Sequence, residues 1–222
     1  MRILAVDTCL GACSVAILDG EKLLAHRSEL MERGHAEALA PMVEATIFDA
    51  GITFSSLDRL GVTTGPGTFT GQRVGLSFMR GLRLALKRPL VGVTSLSAMA
   101  HQAMAATRES CAAGIQAARS NVYFELCSQD RSASGPALLS ISEAVRRIAE
   151  GGRGAPVALA GDAARRVHEA SQSENVATVL TNVVASDALW VARLAAVAPE
   201  PVEIPRPLYL QAPAARIPGP IK

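Results

Sequence analysis

The order of strand-like and helix-like segments constrains this chain more than any other feature. Three short β-rich runs open it, at residues 2–7, 12–18 and 22–29. Thr8–Gly11 makes a tight turn between the first two, and Asp19-Gly20, a strong hairpin signal, joins the second to the third. Three antiparallel strands follow from that. A helix is predicted from Arg33 to Ala50, with Gly51 as its stop and Pro41 bending it. Ser55 or Ser56 caps a short turn before Leu60–Thr64, a buried strand. A second helix runs to Lys87, Pro89 marks its exit, Leu90–Val93 is a strand, and Ser95 caps a helix through Thr107. The order β-β-β-α-β-α-β-α mixes hairpins with crossover connections. The expected fold is therefore α/β, a mixed sheet with flanking helices.

The second half repeats this order in weaker form. Ala112–Gln116 and Val122–Cys127 read as a strand pair, Ser142–Glu150 as a helix and Val157–Ala160 as a strand. A helix to Ala170, a strand at Val176–Leu180 and a helix at Ser186–Val197 complete it. The length of 222 residues suits one large domain or two small ones. Residues 1–107 are expected to form an N-terminal lobe and 108–205 a smaller, degenerate C-terminal lobe. Seven of the twelve prolines lie from Pro199 onwards, so the tail 206–222 is expected to be extended. It would pack back on the body through Leu208-Tyr209-Leu210.

GPGTFTGQRVG, residues 65–75, stands between a buried strand and a helix. Glycine at 65 and 67 lets the backbone turn tightly and approach a ligand or another segment. Free N–H groups at the start of the next helix favour an anion. Phosphate binding and plain helix-on-sheet packing explain this loop equally well. With Asp7 and Thr8, residues Gly65, Gly67 and Thr68 form the candidate nucleotide or phosphate loop. The GK[ST] ending of a Walker A loop is missing, and the run is not GxGxxG.

Both early helices carry too much apolar surface for one sheet. On the first, Ala36, Leu39, Ala40, Val43 and Ile47 share one face, and Ala38, Met42, Ala45 and Phe48 form a second strip. On the second, Gly71, Val74, Gly75, Phe78, Met79, Gly81, Leu82, Ala85 and Leu86 fill an arc of roughly 220° at ~100° per residue. Glycines four apart would let another helix come close. A partner interface is therefore expected at Ala38, Met42, Ala45, Phe48, Gly71, Gly75, Phe78 and Leu82. Composition agrees with that. Charged residues make up 19% of the chain and mean hydropathy is +0.25, drier than the ~25% charged of an average soluble chain. These values also exclude a disordered chain.

A net charge of +2 is a thin basic footprint, so any contact with nucleic acid would be shared with another subunit. No apolar run approaches the ~20 residues of a membrane span, and no signal-peptide pattern precedes the first strand. Cys9, Cys13, Cys111 and Cys127 form no CxxC pair, which points to buried free thiols in a reducing compartment, the cytoplasm. His35 is expected at a solvent edge, and His26, His101 and His168 lack ligand-spaced partners. Asp162 would cap the helix after it. Arg73, Arg80, Arg83 and Lys87 read as a solvated stripe, with contact to nucleic acid as the alternative. No GxSxG, HExxH or Cys-His pattern supports a peptidase.

RILAVDTCLGACSVAIL, the RGHAEALAPMVE helix, SSLDRLGVTTGPGTFTGQRVG and the later VYFEL resemble the TsaB (YeaZ) family, which serves threonylcarbamoyladenosine modification of tRNA. The resemblance is dense over residues 1–107 and thins to scattered matches at Ala118-Arg119, Val122-Tyr123 and Pro207-Leu208-Tyr209. It implies a two-lobed fold of the actin-like, sugar-kinase and Hsp70 type. It also implies a non-catalytic partner of TsaD, the transferase acting on the adenosine beside the anticodon, with the ATPase TsaE joining. A homodimer would form when the chain is alone, and tRNA would be met only through the complex. TsaD holds its metal through an HxxxH pair; the matching positions here are Ser95 and Met99, poor ligands for such a metal. Asp7 matches the first acidic loop of such folds, or merely caps its own turn, and Ala117 stands where the second acid is expected. The resemblance thus implies no catalytic residues, no metal and no tightly bound cofactor, with ATP or ADP only in the complex with TsaD and TsaE. The alternative is a nucleotide-binding module or ATPase of the same fold.

Overall fold

The computed structural model describes residues 1–117, 120–130 and 132–211. Two five-stranded sheets form its framework. In the first lobe, β1 (Arg2–Asp7) sits centrally. It pairs antiparallel with β2 (Ala12–Asp19) and parallel with β4 (Arg59–Thr63). β3 (Lys22–Leu30) extends the hairpin side, and β5 (Leu90–Val93) extends the parallel side. The strand order is β3-β2-β1-β4-β5. Helix α1 (His35–Asp49) lies over β2 and β3, and α2 (Phe69–Leu86) over β4, β1 and β5. A single 3-10 turn, Phe54–Ser56, precedes β4.

The second lobe repeats that plan strand for strand. β6 (Cys111–Gln116) is central, with β7 (Val122–Cys127) and β8 (Ala137–Leu139) antiparallel on one side. β9 (Val157–Ala160) and β10 (Thr178–Leu180) are parallel on the other. The order β10-β9-β6-β7-β8 is that of the first sheet with each strand replaced by its counterpart. Helices α4 (Ile141–Gly152) and α5 (Ala164–Ser173) take the places of α1 and α2. Ser140 and Glu143 start α4 with a reciprocal capping box. The repeat extends to backbone geometry: Gly65, after β4, has φ +99°, and Gly161, after β9, has φ +94°. A side chain is strained at such angles, and only glycine is at ease there.

The third helix of each lobe crosses to the other. α3 (Ser95–Thr107) follows β5 but packs on β6, β7 and β9. Leu96, Met99, Ala100 and Ala103 join Cys111, Ala113 and Ala158 in one core cluster. α6 (Ala188–Val197) packs on β1, β2 and β4, where Val191, Ala192 and Ala195 cover Ile3, Ala5 and Leu18. Asp187 caps the start of α6 through Leu189 N–H at 2.8 Å and meets His26 of β3 at 3.0 Å. At the other end, the Arg59 guanidinium donates to the carbonyls of Ala195 and Ala198, each at 2.8 Å.

Several elements differ from the sequence reading. α3 is capped by the Thr94 hydroxyl, which accepts from Ser97 N–H, and not by Ser95. Asp162 does not cap α5; it accepts from Gln116 N–H at 2.7 Å. β8 carries only three residues, too few to show alternation in the sequence. His35 is buried and meets the Leu10 carbonyl at 3.1 Å, because α1 starts on the β1–β2 turn and not at a solvent edge. The four cysteines are free and buried. Burial pushes the Cys13 thiol up to about 11 and Cys127 to about 12. Among the described residues, no helix is long and apolar enough to cross a membrane.

Candidate functional site

The GPG loop and the β1–β2 turn are built into each other. A Cβ on Gly67 would overlap the Cys9 carbonyl oxygen, and one on Gly71 the Thr8 carbonyl oxygen. Thr68 N–H donates to the Cys9 carbonyl at 2.8 Å. The Thr8 hydroxyl donates to the Gly71 carbonyl at 2.7 Å and accepts from Gly75 N–H at 3.1 Å. Thr68 caps α2 through Gly71 N–H. Beneath Gly65 lies the side chain of Gln72, which donates to the Gly67 carbonyl at 3.1 Å. Every glycine of the loop therefore has a packing reason within the chain.

Asp7 is enclosed by its own chain and is only 2% exposed. One oxygen accepts from Cys9 N–H at 2.9 Å and the Thr63 hydroxyl at 2.5 Å; the other accepts from the Ser186 hydroxyl. Burial pushes its carboxyl above the usual range, while those three donors oppose the rise. Ser186 comes from the segment before α6, so this cluster pins the exchanged helix to the first lobe. Three donors of the chain itself therefore hold this buried carboxylate. Sequence spacing could not have found Ser186, which lies 179 residues from its partner.

Ser95 and Met99, which the resemblance sets where a metal pair is expected, lie inside the protein. Both are fully buried, and Met99 belongs to the core between α3 and the second sheet. A hydroxyl and a thioether facing a core do not suit a catalytic metal. Near them, the buried Glu125 accepts from the Thr94 and Ser97 hydroxyls, both at 2.9 Å. Burial pushes its carboxyl up, and the two hydroxyls hold it back. Ala117 lies at the end of β6, and Ala118-Arg119, named with it, lie outside the described residues.

The expected interface splits. Met42 belongs to the first core at 6% exposure, since α1 turns His35, Leu39, Met42, Val43, Thr46 and Ile47 inwards. Gly71 and Gly75 face Thr8 and not another chain. These three positions are corrected: Met42 on α1 belongs to the core, and Gly71 and Gly75 on α2 serve the close approach to Thr8. Ala36 and Ala40, read on the inner face, are exposed. Of the rest, Phe78 and Leu82 pack against the first core and keep only part of their surface exposed. Ala38 and Ala45 are half-buried, Phe48 is 84% exposed and Leu84 is 71% exposed. Thr70, Val74, Ser77, Gly81 and Leu84, spaced alternately four and three apart, form the outward seam of α2. A Cβ on Gly81 would meet nothing. Of the basic stripe, Arg73 donates to the Tyr209 hydroxyl and Arg80 to the Pro205 carbonyl, so neither is simply solvated.

The family described as TsaD, tRNA N6-adenosine threonylcarbamoyltransferase, matches residues 27–156, more than half of the chain. This chain belongs to that family. Within it, the TsaB-like features hold: the tRNA threonylcarbamoyladenosine biosynthesis protein TsaB of Escherichia coli is 39% identical over 127 residues, 56% of this chain and 54% of that protein. The chain spans about half the length of the curated relatives it matches. YeaZ from Pseudomonas aeruginosa superposes with a TM-score of 0.72 at 29% identity, covering 88% of this chain and 91% of that one. A ROK hexokinase from Thermus thermophilus superposes at 0.53 with 17% identity, over 88% of this chain and 98% of that one. That likeness concerns the fold alone, which is the two-lobed sugar-kinase type.

Proposed function

We propose that this chain is a non-catalytic partner of a TsaD-type transferase in threonylcarbamoyladenosine modification of tRNA, at the adenosine beside the anticodon. One observation carries the reading. A chain of the transferase family has its own side chains where catalysis would need room: Ser95 and Met99 in the core, and Asp7 held by Cys9, Thr63 and Ser186. What the chain offers outward is the pair of helix faces on α1 and α2. Phe48 and Leu84 are exposed there, and a partner laid across both helices would cover them. The partner would meet Ala38, Ala45 and Phe48 on α1 and Phe78, Leu82 and the Gly81 seam on α2, as a contact of helix pairs. The same surface would pair two copies when the chain is alone. tRNA and TsaE would be met in the complex, in the cytoplasm, and ATP or ADP would bind only there.

The test is assembly. Mixed with a TsaD-type transferase, the chain should give a stoichiometric complex by light scattering. Phe48→Asp should leave it folded and weaken the complex at least tenfold, with tRNA modification by the reconstituted system falling in step. Unchanged binding by Phe48→Asp would place the interface elsewhere. The alternative, a nucleotide-binding module, predicts micromolar ATP binding to the isolated chain in calorimetry, and that result would overturn the closed-cleft reading.

A further inference from the structure

A cavity of about 560 Å³ lies on the face of the first sheet away from α1 and α2, where the two exchanged helices meet. Its inner lining is apolar: the buried Leu18 of β2, Leu194 and the half-buried Trp190 of α6, and Met104 of α3. Both lobes contribute to its rim, Glu21 from the β2–β3 turn of the first and Gln129, just after β7, from the second. Gln129 is fixed there, donating to the Arg108 carbonyl at the end of α3 at 2.7 Å. Ligand sites of ~300–1,000 Å³ are built in this way, apolar in the main with a few placed polar groups.

The polar groups narrow the occupant. The Arg193 guanidinium lies over the Trp190 ring, 4.4 Å from its centroid. Among the described residues it has neither an ion-pair nor a hydrogen-bond partner. A guanidinium stacked by its face keeps its N–H edge free, and that edge matches a carboxylate with two parallel hydrogen bonds. His101, also in the lining, meets the Ser97 carbonyl of its own helix through Nδ1 at 2.8 Å. A carbonyl only accepts, so Nδ1 carries a proton, and in the neutral ring Nε2 is left as an acceptor. The indole of Trp190 and the thioether of Met104 suit a flat ring. Dense negative charge does not suit the place. Glu21 stands on the rim, and the last turns of α3 and α6, whose carbonyl ends disfavour anions, border the cavity. A nucleoside triphosphate is a poor fit on both grounds.

We propose that this cavity binds a small aromatic acid: a flat ring with one carboxylate and, at its other end, one N–H or O–H donor. Arg193 takes the carboxylate, Trp190 and Met104 take the ring, and His101 accepts from the donor. The site is separate from the outward faces of α1 and α2 and from the loop around Asp7. Its occupant touches both lobes and both exchanged helices at once, so binding also stabilises the chain as a whole.

The probe is 4-hydroxyphenylacetate, titrated into the full chain by calorimetry and by the fluorescence of Trp190, which lines the cavity. One molecule per chain should bind with a Kd of roughly 10–500 μM, a range open to a ligand of that size, and raise the melting midpoint. Tyramine, the same ring with an ammonium in place of the carboxylate, and ATP should each bind roughly tenfold more weakly or worse. Arg193→Gln should weaken binding of the acid roughly tenfold and erase its advantage over tyramine. Ala105→Phe, which fills the cavity without changing charge, should abolish binding. Both variants should melt like wild type without ligand. Absence of saturable binding at millimolar acid overturns the proposal. So does an Arg193→Gln variant that binds the acid as tightly as wild type, or an Ala105→Phe variant that does the same. Tyramine or ATP bound as tightly as the acid overturns it too, and that comparison needs no variant to fold.

Discussion

Gly71 and Gly81 sit ten positions apart on one helix, and their reasons differ. Gly71 has no room for a methyl group because the Thr8 carbonyl occupies it; Gly81 faces open space. Gly71→Ala should therefore destabilise the chain by about 2–3 kcal/mol, through overpacking against a backbone that cannot move away. Gly81→Ala should stabilise the monomer by about 0.5–1 kcal/mol through helix propensity alone, while weakening assembly. Urea denaturation of both variants checks the opposite signs. Asp7 gives a second test. Asp7→Asn keeps an acceptor for Cys9 N–H and Thr63 and should cost ~1 kcal/mol or less; Asp7→Ala strands three buried donors and should cost about 2–3 kcal/mol. A modification activity lost on Asp7→Asn in a stably folded complex would instead give the carboxylate a chemical role. The sequence showed that the 65–75 loop mattered but not why. Spacing reveals that glycine is needed, and only the fold reveals what stands opposite it.

At the scale of elements, most strands and helices were legible because hydrophobic period and turn residues agree. The inner face of α1 was not. His35 and Thr46 point inward beside Met42, and polar residues in a core break the pattern that spacing relies on. Nor was the docking of α6 legible, since its anchors come from distant parts of the chain. His26 of β3 meets the Asp187 carboxylate, which raises the imidazole pKa above its ordinary value of 6.5 while partial burial opposes the rise. The folded state thus favours the proton. The pair's stabilisation is complete below about pH 6.5 and is lost as pH rises through the raised value. The site is partly exposed, so the gain is small, roughly 0.5 kcal/mol after screening. His26→Ala should remove that pH dependence between about pH 6 and 8 and leave the rest of the stability profile unchanged, as urea midpoints at several pH values would show. A slope identical to wild type would mean that the pair contributes nothing.

At the scale of the whole molecule, the duplication and the exchange pull in opposite directions. Two copies of one strand plan suggest two lobes that fold alone, as the sequence boundary at residue 107 implies. The third helices contradict that. Removing residues 108–222 would take α6 from the first sheet and bare Ile3, Ala5, Leu18, Val91 and Val93, all buried now. It would also leave α3 without the sheet it covers, and Asp7 without the Ser186 hydroxyl. A sheet with one face stripped of its helix buries too little apolar surface to offset the entropy of ordering it. The lobes should therefore unfold as one unit. Trp190, the one tryptophan, lies on α6 against the first lobe and reports that docking. In urea its fluorescence change should coincide with loss of helical circular dichroism from both lobes, in a single transition. A fragment of residues 1–107 should be unfolded or aggregated. Two separated transitions, or a folded soluble fragment with native-like amide protection, would show that the exchanged helices decorate two independent lobes and do not bind them into one.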